Sequence, residues 1–323
     1  MEKKMIILSL VKLVIGFLLL VKGADFFVDG ASSIAKKLAI PSFVIGLTIV
    51  AFGTSAPELA VSISAAMKGS NDIAIGNVVG SNIFNTLVVL GASAALTPIA
   101  VEKGIIKKDY PLSIFAAVLL GILAMDTILF KAEVMTLGRV DGIILLIAFA
   151  FFMYTTVKAG LDQRAAGGDE EEIEVMPVWK SLVLLVVGLA GIVLGGDMSV
   201  EGAKEIARVL GLSEALIGLT IVAFGTSLPE LVTSVIAAKK GESDIAVGNV
   251  IGSNLFNIFF ILGVSATILP MNVSGTYLYD IAVLVAVMVL TYLPIAKTKK
   301  VSRPMGIIMM LVYVAYTAYL IMR

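Results

Sequence analysis

Glu58 and Glu230 each follow a threonine by four residues and a serine by three, and each lies in an otherwise apolar segment. The two stretches read GTSAPE from Gly53 and GTSLPE from Gly225. On a helix, Thr54, Ser55 and Glu58 would share one face, as would Thr226, Ser227 and Glu230. A charge in hydrocarbon costs about 2.5–3.5 kcal/mol on insertion scales, and such residues mark ion pathways. Carboxylates, hydroxyls and backbone carbonyls are the ligands that hard cations such as Ca²⁺, Na⁺ or Mg²⁺ prefer. The proline before each glutamate has no N–H to donate, and its ring presses on the carbonyl of Gly53 or Gly225. The backbone is expected to open there and free carbonyls such as those of Ala51 and Ala223. Broken helices lined by carbonyls hold ions at the midplane of many transporters. A proline kink with a back-bonded serine would explain one copy lacking the glutamate. Two copies that carry it point to a site.

A second shared motif supplies more oxygen. It reads GNVVGSNIFN from Gly76 and GNVIGSNLFN from Gly248. Ser81 and Asn85 are four apart, as are Ser253 and Asn257, so each pair forms another polar helix face and is a candidate ligand pair. Gly76, Gly80, Gly248 and Gly252 form G-x-x-x-G pairs that let helices approach closely. Asn77, Asn82, Asn249 and Asn254 are expected to hydrogen-bond the broken backbone. Ca²⁺ takes six to eight oxygens. Two glutamates neutralise one divalent ion or two monovalent ones, so Ca²⁺ and several Na⁺ would compete for one cage.

Composition narrows the classes. The chain has no Cys and no His, which excludes disulfides, Cys or His nucleophiles and a histidine proton relay. No nucleotide loop, nucleophile constellation or soluble domain suggests an enzyme, and no cofactor is expected. With zero net charge and no basic stripe, nucleic acid is not an expected partner. At 59% apolar residues and a mean hydropathy of +1.04, the lipid bilayer is the expected surrounding.

The elements that must position these motifs come in two halves. Gly46–Ala94 recurs without a gap as Gly218–Ala266, with about two thirds of the positions identical at an offset of 172 residues. Apolar runs long enough to cross a bilayer place spans near 5–35, 41–67, 72–98, 108–126 and 139–159. The second half repeats them near 178–207, 213–238, 244–269, 277–296 and 304–322. The first span of each half is too long to cross upright and should tilt or project. A basic start and an apolar run resemble a signal peptide, but Lys12 interrupts the run and no A-x-A site follows. Gly16, Asp25, Gly30 and Ala31 also recur as Gly188, Asp197, Gly202 and Ala203, which marks a retained helix.

The expectation is an all-α polytopic membrane protein of ten transmembrane helices in two inverted-topology five-helix repeats, with helices broken at the midplane. Residues 1–160 form the first repeat, 161–177 an acidic linker and 178–323 the second repeat. An odd number of spans per half inverts the second half. Basic residues of loops and tails number 8 on the N-terminal side and 14 on the other. The positive-inside rule then puts both termini outside and the linker in the cytoplasm.

The paired GTS(A/L)PE and GNV(V/I)GSN blocks resemble the two alpha repeats of the Na⁺/Ca²⁺ exchanger family, within the cation/Ca²⁺ antiporter superfamily, over essentially the whole chain. The resemblance implies a prokaryotic-type antiporter of the cell membrane that exchanges Na⁺ for Ca²⁺ by alternating access, three Na⁺ for one Ca²⁺, in which a single chain can function. It implies a Ca²⁺ site of Glu58, Glu230, Thr54 and Thr226, flanked by Na⁺ sites that use Ser55, Ser81, Ser227, Ser253 and the carbonyls of Ala51 and Ala223. The family's first-repeat asparagine falls on Asn85. At the matching second-repeat position K⁺-dependent relatives carry Asp, where this chain has Asn257, which argues against K⁺ dependence. The alternatives are a proton- or K⁺-coupled antiporter of the same fold, or one for another divalent cation. A channel fits less well, because it wants a continuous pore with loose sites.

Overall fold

The structure, a computed structural model, describes residues 2–67, 69, 71–125, 135–165, 176–211 and 223–322. Helix α1 (Glu2–Lys37) has 36 residues, about 54 Å at 1.5 Å per residue, against a hydrocarbon core of about 30 Å. It is followed by α2 (Ser42–Thr54) and α3 (Ala56–Met67), which meet at a bend of 50°. The chain continues through α4 (Ile73–Leu96), α5 (Tyr110–Leu123) and α6 (Arg139–Ala165). The second half holds α7 (Val178–Val209), the short α8 (Ala223–Thr226), α9 (Leu228–Lys239), α10 (Ser243–Ile268), α11 (Gly275–Thr298) and α12 (Arg303–Met322).

Among the described residues, seven helices are long and apolar enough to cross a membrane, or eight if the bent pair is one span. They coincide with eight of the ten expected spans. The other two are not among them. The expected span at 108–126 is helical from a wide turn at Ile105–Asp109 through α5, with Lys107, Lys108 and Asp109 charging its start. Of the span at 213–238, residues 212–222 lie outside the described residues, as do linker residues 166–175.

Helices α1 and α7 run antiparallel and touch along their length. Gly16, Gly23 and Gly30 on α1, and their 172-offset counterparts Gly188, Gly195 and Gly202 on α7, recur every seven residues along this seam. A Cβ at Gly16 would lie 2.6 Å from the Ser199 amide nitrogen, and one at Gly188 would lie 2.5 Å from that of Phe27. No other residue permits that approach. The outward faces of the pair are apolar and exposed, as at Phe17, Leu18 and Val186, which lipid accommodates and water does not.

Inside, α4 and α10 form the core, where Ile75, Val78, Ile83, Val250, Leu255 and Phe259 are fully or almost fully buried. Two antiparallel ladders tie loops from different halves. Strand β1 (Ile99–Ala100) pairs with β4 (Lys300–Val301), and β2 (Thr136–Leu137) pairs with β3 (Met271–Asn272). Ion pairs fasten α1 to the second half at both ends. Lys12 meets Glu205 at 2.6 Å near one end. Near the other, Lys240 meets Asp25 at 2.7 Å and Asp29 at 2.6 Å, and Glu242 accepts from Ser32 and lies 3.4 Å from Lys36.

Candidate cation site

The break between α2 and α3 falls on Ser55, whose φ/ψ of −83°/9° leaves the helical region. Ser227, at −93°/7°, makes the same break between α8 and α9. Pro57 and Pro229 sit just inside the helices that follow, where a missing N–H costs nothing. The carbonyl of Ala51 is not freed as expected. It accepts from the Ser55 N–H at 3.0 Å and keeps its other lone-pair direction, with the Thr54 hydroxyl oxygen 3.3 Å away. Ala223 opens α8 in the equivalent place.

The breaks carry the hydroxyls across the molecule rather than onto their own helix face. Ser55 donates to Glu230 Oε1 at 2.8 Å, and Ser227 donates to Glu58 Oε1 at 3.0 Å. Each serine therefore serves the glutamate of the other half. The Ser81 hydroxyl lies 3.2 Å from that of Ser227. Ser253 donates to Glu230 Oε1 at 3.5 Å and lies 3.5 Å from the Thr54 hydroxyl. Glu58 and Glu230 lie close enough to repel, and both are fully buried. The second oxygen of each carboxylate has no hydrogen-bond partner. A buried ionised carboxylate without a partner is costly, and a cation between the two would satisfy both.

Asn85 and Asn257 are also fully buried, at matching wide turns that begin at Asn85 and Phe256. Turns of this kind often occur at functional sites. Asn257 donates from Nδ2 to Asn82 Oδ1 at 3.0 Å, which leaves its own Oδ1 unpartnered. Asn85 has no partner at either amide atom. Three of the other motif asparagines hold backbone, as their pattern suggested, whereas Asn254 donates to the Thr86 hydroxyl instead. Asn77 donates to the Glu58 carbonyl at 3.2 Å, Asn249 to that of Glu230 at 3.4 Å, and Asn82 to that of Asn254 at 3.3 Å.

The structure thus gathers these side chains into two mirrored networks whose carboxylates are close enough to repel, Glu230 with Ser55, Ser253 and Thr54, and Glu58 with Ser227, Ser81 and, through Asn77, Thr226. Two partners were missed as such by sequence reasoning. Ser62 and Ser234 recur at the 172 offset and accept from Asn77 at 3.0 Å and from Asn249 at 2.9 Å. Their recurrence within an apolar helix was the available signal. A cavity of about 580 Å³ borders Thr226 and is lined also by Lys12, Pro57, Asp197, Glu201 and Pro229. Thr226 is 9% exposed, whereas its counterpart Thr54 is fully buried.

The sequence profile described as "Sodium/calcium exchanger protein" matches residues 8–158 and 180–322. The chain is 36% identical to the sodium/calcium exchanger MaX1 of Methanosarcina acetivorans, covering 98% of this chain and 99% of that protein. It is similar to the solved structure of the sodium-calcium exchanger NCX_Mj soaked with Na⁺ and Sr²⁺. That match has a TM-score of 0.84 at 37% identity and covers 97% of this chain and 98% of the other. Sodium/potassium/calcium exchanger 1 of Gallus gallus is 37% identical over 123 residues, 35% of this chain and 19% of that protein.

Proposed function

The chain belongs to the sodium/calcium exchanger family and is a cation/Ca²⁺ antiporter, and from that premise we propose that Na⁺ drives it, without K⁺ and with net movement of charge. The observation that carries the reading is the cross-paired carboxylates. Glu58 and Glu230 are fully buried and close enough to repel, each keeps one unpartnered oxygen, and each accepts from the opposite half's serine. Two carboxylates balance one Ca²⁺ or two Na⁺, so the two cargoes exclude each other on charge alone, and a third Na⁺ would carry the net charge moved. Ca²⁺ would be held by Glu58, Glu230, Thr54 and Thr226. Na⁺ would use Ser55, Ser81, Ser227 and Ser253 with the carbonyls of Ala51 and Ala223. Asn85 and Asn257 would add neutral amide oxygens to the floor of the cage. An amide there offers no formal charge for an additional K⁺.

The architecture proposed is ten spans in two inverted repeats. The two ladders support it. Under the 172-residue offset β1 falls on β3, and each of the two strands pairs with a strand of the other half. The cavity beside Thr226 supports alternating access in a state open toward the side of Lys12 and Glu201. The distribution of basic residues makes that side extracellular, with both termini there and the linker in the cytoplasm.

Uptake of radiolabelled Ca²⁺ into proteoliposomes under imposed Na⁺, K⁺ or H⁺ gradients tests the reading. A Na⁺ gradient alone should drive uptake, and a clamped potential should bias it, because one elementary charge across 100 mV is worth about 2.3 kcal/mol. Uptake that follows only a proton gradient would overturn the Na⁺ coupling.

A further inference from the structure

Building on the proposed ligand set, we propose that Asn77 and Asn249 are positioning residues that fix the direction of the hydroxyl proton on the opposite repeat's threonine, so that the threonine lone pairs face the cation. A hydroxyl has one proton and two lone pairs. To ligate a cation through oxygen it must send that proton elsewhere. In both repeats the receiver is the amide oxygen of an asparagine from the other half. Thr54 donates to Asn249 Oδ1 at 2.9 Å, and Thr226 donates to Asn77 Oδ1 at 3.4 Å.

The direction of these bonds follows from chemistry rather than from placed hydrogens. Asn249 Nδ2 faces the backbone carbonyl of Glu230 at 3.4 Å, and Asn77 Nδ2 faces that of Glu58 at 3.2 Å. A carbonyl only accepts, so the nitrogen must be on that side and the oxygen must face the threonine. Ser234 and Ser62 hold the same nitrogens in place at 2.9 and 3.0 Å. Each asparagine is therefore used up as a splint. It ties the backbone of one glutamate to the hydroxyl of the opposite threonine, and its own oxygen is not available as a ligand. The tighter splint holds Thr54, which is fully buried, and the looser one holds Thr226, which borders the cavity.

A double-mutant cycle on Asn249 and Thr54 tests this, read as the half-saturating Ca²⁺ concentration and the maximal rate of Na⁺-driven uptake. Asn249→Leu and Thr54→Val should each raise the half-saturating concentration about tenfold, the value of one well-made hydrogen bond, with a smaller change in maximal rate. The double variant should be no worse than Thr54→Val alone. Additive effects would overturn the splint and leave the ligand set standing, whereas an unchanged Ca²⁺ response in Thr54→Val would overturn the ligand set and the splint with it. Should Asn249→Leu not fold, Asn249→Asp decides. The protonated acid reproduces the amide's pattern of one donor toward Glu230 and one acceptor toward Thr54, whereas the carboxylate sets oxygen against oxygen. Relative to the wild type, its transport should recover as pH falls. A pH profile parallel to the wild type would overturn the inference.

Discussion

In the first repeat the amide of Asn85 has no partner at either atom, whereas Asn257, its counterpart in the second, is held by Asn82. The motifs around them are nearly identical, and the difference traces to the next residue along. Thr86 offers a hydroxyl where the second repeat has Ile258. Asn254 donates to that hydroxyl at 3.0 Å, so it turns away from Asn85. Asn82 has no such hydroxyl across from it and takes Asn257 instead. A second contrast lies at the threonines, one sealed and one at the wall of the cavity. The repeats therefore match in their crossed serine–glutamate pairs and diverge in what surrounds them. Identical motifs do not make identical sites once a single flanking residue redirects a hydrogen bond.

The largest expected effect tests the symmetric part. Glu58→Gln and Glu230→Gln should each abolish Ca²⁺ uptake while the purified proteins still fold, because half the counter-charge is lost in low dielectric, where charge interactions are several-fold stronger than in water. Near-normal flux in either variant would break the equivalence of the two carboxylates.

Next comes the asymmetric amide. Uptake by the wild type should be unchanged when K⁺ is replaced by choline. Asn257→Asp removes the donor to Asn82 Oδ1 and sets two acceptors face to face, so the new carboxyl must take up a proton or a cation. Its flux should acquire a dependence on pH or K⁺. The same change at Asn85, which faces no acceptor partner, should alter the profile less. Equal responses at the two positions would mean that the contrast has no functional weight.

A smaller effect is expected from making the halves alike. Thr86→Ile leaves the buried Asn254 donor unsatisfied, a cost of about 1–3 kcal/mol, measurable as a lower thermal midpoint in detergent. An unchanged midpoint would show that Asn254 finds another acceptor.

The smallest effect concerns a loop residue that has no acidic counterpart, since the 172 offset from Glu102 leads to Ser274. Burial first, then Asp244 and Asp109, pushes the Glu102 carboxyl from 4.5 up to about 7. Between those values the folded protein holds a proton that the unfolded chain has released. Stability therefore falls as pH rises through this window, and the penalty is complete above it. Glu102→Gln should flatten that slope, so its thermal midpoint should drop less than the wild type's between pH 5 and pH 8. Parallel profiles would remove Glu102 as the cause.

Much of the site could be read from spacing. The glutamates, the hydroxyls and the duplicated blocks stand in sequence where they stand in space, because a carboxylate set twice in hydrocarbon costs stability unless a cation meets it. What the sequence withheld was partnership. Thr54, Ser55 and Glu58 looked like one helical face, yet the break at Ser55 turns its hydroxyl toward Glu230, and no periodicity within one repeat announces a bond to the other. The carbonyl of Ala51 was expected to open because Pro57 removes a donor. The donor lost belonged to Gly53, while Ala51 keeps the Ser55 amide. The long first helices were legible as too long. Their joining by a seam of glycines was not, because the recurrence of Gly16 as Gly188 shows kinship and says nothing about contact.

That seam has a mechanical consequence. Two helices pressed backbone to backbone along several turns have no compliant side-chain layer between them, so a push at one end of the pair arrives at the other undiminished. At one end Lys12 of α1 clamps Glu205 of α7, and toward the other Lys240 and Glu242 fasten α1 to the α9–α10 corner. Such a beam tips as a whole. In the alternating access proposed above, a stiff beam lifted from one side of the site would lower onto the other, leaving no posture open to both sides at once.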